Sequence, residues 1–184
     1  VKYLWEYLKN DEYKDSSKNW LQVDCEKEEI KKIWYAVDAN SYIFDKAIEE
    51  GVDMIICHHW LYWWFEQALV WVPFDRIKKL LKNDIALYAS HLPLDKHEEI
   101  GNNIGLLKAF VNIFWMKESD YEIEGFWEYN WVLVWYWLKF KNKLHISNLV
   151  TPYAENMWLI KKLYNFWNKD YITSIAFVSW WALG

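Results

Sequence analysis

Two short apolar runs in this sequence end abruptly in side chains that bind transition metals. The first is Gly51-Val52-Asp53-Met54-Ile55-Ile56-Cys57, followed by His58-His59. The second is Ile85-Ala86-Leu87-Tyr88-Ala89, followed by Ser90-His91-Leu92-Pro93-Leu94-Asp95. Neutral imidazole suits zinc, iron, nickel or copper, and a carboxylate such as Asp95 can join two ions. Each residue also has an ordinary role open to it. A His-His pair by itself is commonly an exposed loop feature, and Asp95 after Pro-Leu fits a turn or helix start. Cys57 reads as a small buried strand residue. His97 reads as a supporting or surface residue, and His145 as surface. What favours the metal reading is that the first three could be brought together.

The elements around them predict that meeting. Met54 to Cys57 is a continuous apolar run bounded by a turn signal, as expected of a strand covered on both faces. Between the two runs, Phe74 to Asn83 carries apolar residues at helical spacing, with Lys78, Lys79 and Lys82 toward its end. Strand, helix and strand make a βαβ unit with parallel strands. Both strands then release their chains at one sheet edge, where open α/β sheets bind ligands. Upstream, Ile33 to Val37 reads as another strand, Asp38-Ala39-Asn40-Ser41 offers a cap, and Tyr42 to Glu50 a helix stopped by Gly51. At least three parallel strands are expected.

The remaining chain is read more coarsely. Val1 to Leu8 is a short amphipathic helix, and Trp20 to Val23 a short strand. Tyr121 to Phe140 is strand-like, Asn142-Lys143 a turn, Ser147 to Tyr164 helical, and Tyr171 to Val178 a buried strand. The expected fold class is α/β, with two related α/β domains of parallel-rich sheets flanked by helices. The first domain spans 1–112 and carries the histidines; the second spans 113–184 and is expected to be incomplete at its C-terminus.

Composition narrows the function classes. A net charge of −5 gives no basic footprint for nucleic acid. No apolar run is long enough to span a membrane, and no signal peptide is apparent. Two cysteines outside any CxxC pattern argue against a disulfide scaffold and set a cytoplasmic expectation. Tryptophan is abnormal, at 16 residues against 5 glycines. Trp34, Trp60, Trp167, Trp180 and Trp181 fall where turns and strand ends favour glycine. They are read as glycine positions taken by tryptophan, through substitution or misassignment, rather than as a stacking platform. Several should then have positive φ.

These residues carry a resemblance. Asn19-Trp20-Leu21-Gln22-Val23, Val52 to Trp60, Asn83 to Tyr88, and His91-Leu92-Pro93-Leu94-Asp95-Lys96-His97 with Gly101-Asn102-Asn103 are similar, in order, to motifs of the NIF-three-like dinuclear-metal proteins. That family is often named GTP cyclohydrolase 1 type 2 homologues. Trp20, Trp60, Trp180 and Trp181 depart from it at glycine positions. The resemblance implies a toroidal homo-hexamer and two divalent ions per subunit, of zinc, iron, nickel or manganese. It implies His58, His59 and Asp95 as ligands, with His91 as neighbour or further ligand. It places a final His and Glu of the site beyond the end of this sequence.

The chemistry of the residues agrees. Adjacent histidines just past a strand end can diverge toward two ions about 3.5–4 Å apart, as in two-metal hydrolytic sites. The expected function is hydrolysis by metal-activated water, of the GTP cyclohydrolase type 2 kind, on a small nucleotide. The alternative is a metal-binding ring without turnover, used for interaction or metal handling. No phosphate-binding glycine motif is present, and no catalytic acid or base is assigned.

Overall fold

The computed structural model describes residues 1–12, 17–61, 68–129, 132–149 and 170–178. The chain divides into two compact units, Val1–Leu94 and Asp95–Gly184.

The first unit holds a four-stranded sheet in the order β1-β4-β3-β2. Its strands are β1 (Leu21–Val23), β2 (Ile33–Ala36), β3 (Met54–Cys57) and β4 (Ala86–Ala89). β2, β3 and β4 run parallel as expected, and β1 joins β4 antiparallel. Helix α2 (Ser41–Glu49) connects β2 to β3, and α3 (Trp71–Lys82) lies between β3 and β4. The side-chain alternation of the strands gives each face its own core. Val23, Ile55, Cys57 and Leu87 pack with Phe44 and Ala47 of α2 and Leu80 of α3. Met54, Ile56, Ala86 and Tyr88 form the other face with Leu8, beside Leu4 of α1 (Lys2–Tyr7). Covering on both faces is why the strand sequences are apolar without alternation.

Local chemistry fixes the ends of these elements. Asn40 caps α2, its side-chain oxygen accepting from the Ile43 N–H at 3.0 Å. At the other end of the strands, the Asp53 carboxylate accepts from Lys27 Nζ at 2.6 Å and from the main-chain N–H groups of Lys31 and Lys32 at 2.9 and 2.8 Å. The Lys27 hydrogen bond, then those two amides, hold the Asp53 carboxyl down at about 2. A depressed folded-state value gives stability that is present above the usual 3.8 and lost as pH falls toward about 2. The Asp53→Asn variant is therefore expected to melt lower at neutral pH, with its deficit shrinking through that acid window. Melting curves from neutral pH down to that window check this; a deficit independent of pH would contradict it.

The second unit holds β5 (Tyr121–Tyr129), β6 (Val132–His145) and β7 (Tyr171–Phe177) in that order. Here the sheet is antiparallel instead of parallel-rich. β5 and β6 pair antiparallel as far as Tyr129 opposite Val132, a separation in sequence far too short for the crossover a parallel pair needs. Asn142 and Lys143 do not form a turn; β6 runs through them, and the β6–β7 register shifts between Lys139 and Leu144. β7 is not a buried strand. It pairs with β6 at one end of the sheet order, and among its residues Phe177 alone is fully buried. Helix α5 (Asn102–Ile113) covers the sheet, with Ile104, Leu107 and Phe110 against Leu138, Phe140 and Phe177. The expected boundary after residue 112 would leave nearly all of this helix in the first domain, whereas it packs within the second compact unit. Of the expected helix over 147–164, only 147–149 fall within the described residues, which are helical there.

The tryptophan expectation fails at both of the named positions that are described. Trp34 lies in β2 against the core and Trp60 is buried, and neither has positive φ. Trp167, Trp180 and Trp181 lie outside the described residues. Positive φ occurs instead at Trp71 (51°) and Trp115 (52°). Trp115 follows α5, where the Met116 and Trp115 N–H groups return to the Val111 and Asn112 carbonyls at 3.1 and 3.2 Å. That is the helix stop in which glycine is usual. Left-handed backbone costs an ordinary L-residue roughly 1–2 kcal/mol, so the Trp115→Gly variant is expected to gain about 1 kcal/mol. Urea midpoints at unchanged m-value measure it, and a loss of stability would contradict it.

Candidate metal centre

Strand register builds this site. Ala36, Cys57 and Ala89, the last residues of β2, β3 and β4, stand side by side in the sheet. The ladder continues just beyond them. His58 N–H donates to the Ala36 carbonyl at 3.1 Å, His59 N–H to Val37 at 2.8 Å, and Ser90 N–H to Cys57 at 3.0 Å. Three chains therefore leave the sheet at one edge, and the residues that follow must meet there.

His58, His59 and His91 do meet. Their ring centroids are 4.8 Å apart for His58–His59, 4.8 Å for His58–His91 and 5.8 Å for His59–His91. One nitrogen from each lies within 4.8 Å of the others, so the three could hold a metal ion. His91 is buried and the pair is half-buried. Two of the rings are held by acceptors. His59 Nδ1 lies 2.7 Å from the Asp38 carboxylate, and His58 Nδ1 lies 3.2 Å from the Ser90 carbonyl. An oxygen of either kind can only accept here, so each Nδ1 is the donor and Nε2 the basic nitrogen. This is the tautomer, with the outer partner, in which imidazole binds metals.

His91 is positioned through its backbone. Its N–H donates to Asn19 Oδ1 at 2.6 Å, while the Asn19 carbonyl accepts from Asn10 Nδ2 at 3.2 Å. Asn10 Nδ2 also donates to the Tyr88 hydroxyl at 2.6 Å, which ties this network to β4. Trp60 stands edge-on to His91, with centroids 6.1 Å apart. Gln22 Oε1 accepts from the Leu61 N–H at 2.8 Å and fixes the chain leaving the histidine pair.

The other expected residues are placed as follows. Asp95 belongs to α4 (Leu92–Lys96) and is the first residue of the second compact unit. It is fully buried, its Oδ1 accepting from Asn102 Nδ2 at 3.0 Å and its carbonyl from Asn103 Nδ2 at 3.2 Å. His97 Nδ1 accepts from the Glu99 and Ile100 N–H groups, closing its own turn. Cys57 is a core residue. Burial, then the Asp38 charge, pushes its thiol up to about 12, so it is neutral at physiological pH. Sequence reading missed Asp38, Ser90 and Asn19 as positioning residues. The available signal was their place, since Asp38 and Ser90 also follow strand ends.

Comparison with known proteins places this arrangement. The family model of Duf34/NIF3 (NGG1p interacting factor 3) matches residues 1–178. The chain belongs to that family. A GTP cyclohydrolase 1 type 2 homolog from Pyrococcus abyssi is 35% identical over 157 residues, or 85% of this chain and 59% of its own length. One from Archaeoglobus fulgidus is 41% identical over 108 residues, or 59% of this chain and 44% of its own. The crystal structure of TTHA1606 from Thermus thermophilus matches with a TM-score of 0.63 at 36% identity, covering 80% of this chain and 56% of that one. The chain thus spans about half the length of the curated relatives it matches. Among the described residues of this Duf34/NIF3 chain, no helix is long and apolar enough to cross a membrane.

Proposed function

We propose that this Duf34/NIF3 chain carries a dinuclear divalent-metal centre and acts as a metal-dependent hydrolase of the GTP cyclohydrolase type 2 kind. The observation that carries the reading is the cluster of His58, His59 and His91, with two of the rings held in the metal-binding tautomer. The donor set fits a borderline transition metal, which imidazole prefers. Asp95, four residues past His91 in sequence, is the carboxylate that the family resemblance would add to the ligand set. Metal bound there supplies Lewis acidity and brings the pKa of water toward neutrality. The chain's own part is orientation. Asp38 fixes the ring orientation and tautomer of His59, the Ser90 carbonyl does so for His58, and Asn19 holds the His91 backbone.

The Asp38→Ala variant should bind divalent metal about 10–100-fold more weakly, the usual cost of losing a ligand's outer partner. Titration calorimetry reads this, and unchanged affinity would remove Asp38 from the site. Elemental analysis of the whole protein, with GTP turnover before and after chelation, tests the activity. Two ions per subunit and chelator-sensitive turnover are expected; metal without turnover would favour the metal-handling alternative.

Assembly as a toroidal homo-hexamer belongs to the same proposal. β2 is at one end of the sheet order, and it presents Ile33 and Tyr35 to solvent, with Val37 just past it and Tyr42 of α2 also exposed. An apolar sheet edge of this kind is a template for pairing unless it is covered. Light scattering on the whole protein should give a hexamer, and a stable monomer at micromolar concentration would reject it.

A further inference from the structure

Tryptophan and glycine are unbalanced in the same chain, at 16 and 5 of 184 residues, whereas glycine alone usually makes up about 7%. Backbone geometry shows where that imbalance bears on the fold. Trp71 and Trp115 have φ of 51° and 52°, and their side chains stand in solvent, with the residues 83% and 90% exposed. A bulky side chain in the left-handed region is a genuine outlier, and such exposure leaves little packing to offset the cost.

Three helix ends give an internal comparison. After α2, the Gly51 and Val52 N–H groups return to Ile48 and Ala47, with Gly51 at φ 62°. After α3, the Asp84 and Ile85 N–H groups return to Leu81 and Leu80, with Asp84 at φ 53°. After α5, Trp115 and Met116 repeat the same two bonds to Asn112 and Val111. One geometry therefore takes glycine, aspartate and tryptophan in turn. Glycine is the default there and aspartate is tolerated, but an indole has no chemistry that suits it.

We infer that residues 71 and 115 are glycine in the protein as its own cell makes it, because one codon read elsewhere as tryptophan is charged there with glycine. Each such codon adds one tryptophan and removes one glycine, so surplus and deficit arise together. UGA is the simplest candidate. It is a stop in the standard code, tryptophan in some codes, and a single base away from the glycine codon GGA. Only a change of tRNA anticodon is needed.

Peptide mass spectrometry of the protein purified from its own cells reads both positions directly. Glycine at both is expected, and tryptophan at either overturns the inference. An independent arm uses recombinant chains carrying Trp71→Gly with Trp115→Gly, or Trp71→Ala with Trp115→Ala. The glycine pair is expected to melt above both the alanine pair and the unsubstituted chain. A melting temperature at or below that of the alanine pair overturns the inference.

Discussion

The His91→Ala variant is expected to bind divalent metal at least about 100-fold more weakly than the unsubstituted protein. Losing an outer partner of a ligand costs about 10–100-fold, and losing the ligand itself should cost no less. The substitution is well suited to the question because the fold holds His91 by its main chain. The N–H that donates to Asn19 Oδ1 survives the change to alanine. The metal-free variant should therefore stay folded, and titration calorimetry should show the loss in metal affinity alone. Unchanged affinity in a folded variant would remove His91 from the centre.

The Leu87→Ala variant carries the largest expected loss of stability, about 2–5 kcal/mol. Leu87 has no exposed surface and lies in β4 between Ile55 of β3 and Val23 of β1. Phe44, Ala47 and Leu80 share its cluster, so the truncation leaves a cavity under both helices. Against a typical total of about 5–15 kcal/mol, such a loss is a large fraction of the fold. Denaturant midpoints at constant m-value measure it. A change below about 1 kcal/mol would mean that this face of the sheet is not closed as described. Metal should recover part of the loss by binding the folded state alone.

The part of the site legible in the sequence is the part set by strand ends. Met54–Cys57 and Ala86–Ala89 are apolar on both faces, which marks buried parallel strands and puts His58, His59 and His91 at one edge. The outer partners are hidden because local patterns have more than one use. Asp38-Ala39-Asn40-Ser41 reads as a helix cap, and Asn40 does that work while Asp38 reaches His59. Asn19 lies far from His91 in sequence, and only the pairing of β1 with β4 brings them together. In the second unit, β-prone residues announce strands without fixing their direction. The antiparallel sheet follows from the short β5–β6 connection, and the exposure of β7 from its place in the strand order. Tryptophan does occupy left-handed backbone at Trp71 and Trp115, but not at Trp34 and Trp60, because φ is set by the local turn rather than by composition.

Anomalous X-ray scattering from crystals of the protein grown with its metal tests the central claim most directly. The account predicts metal peaks at about 2.0–2.1 Å from ring nitrogens of His58, His59 and His91, the usual distance for zinc and imidazole. Metal-replete crystals with no peak at these three histidines would contradict it.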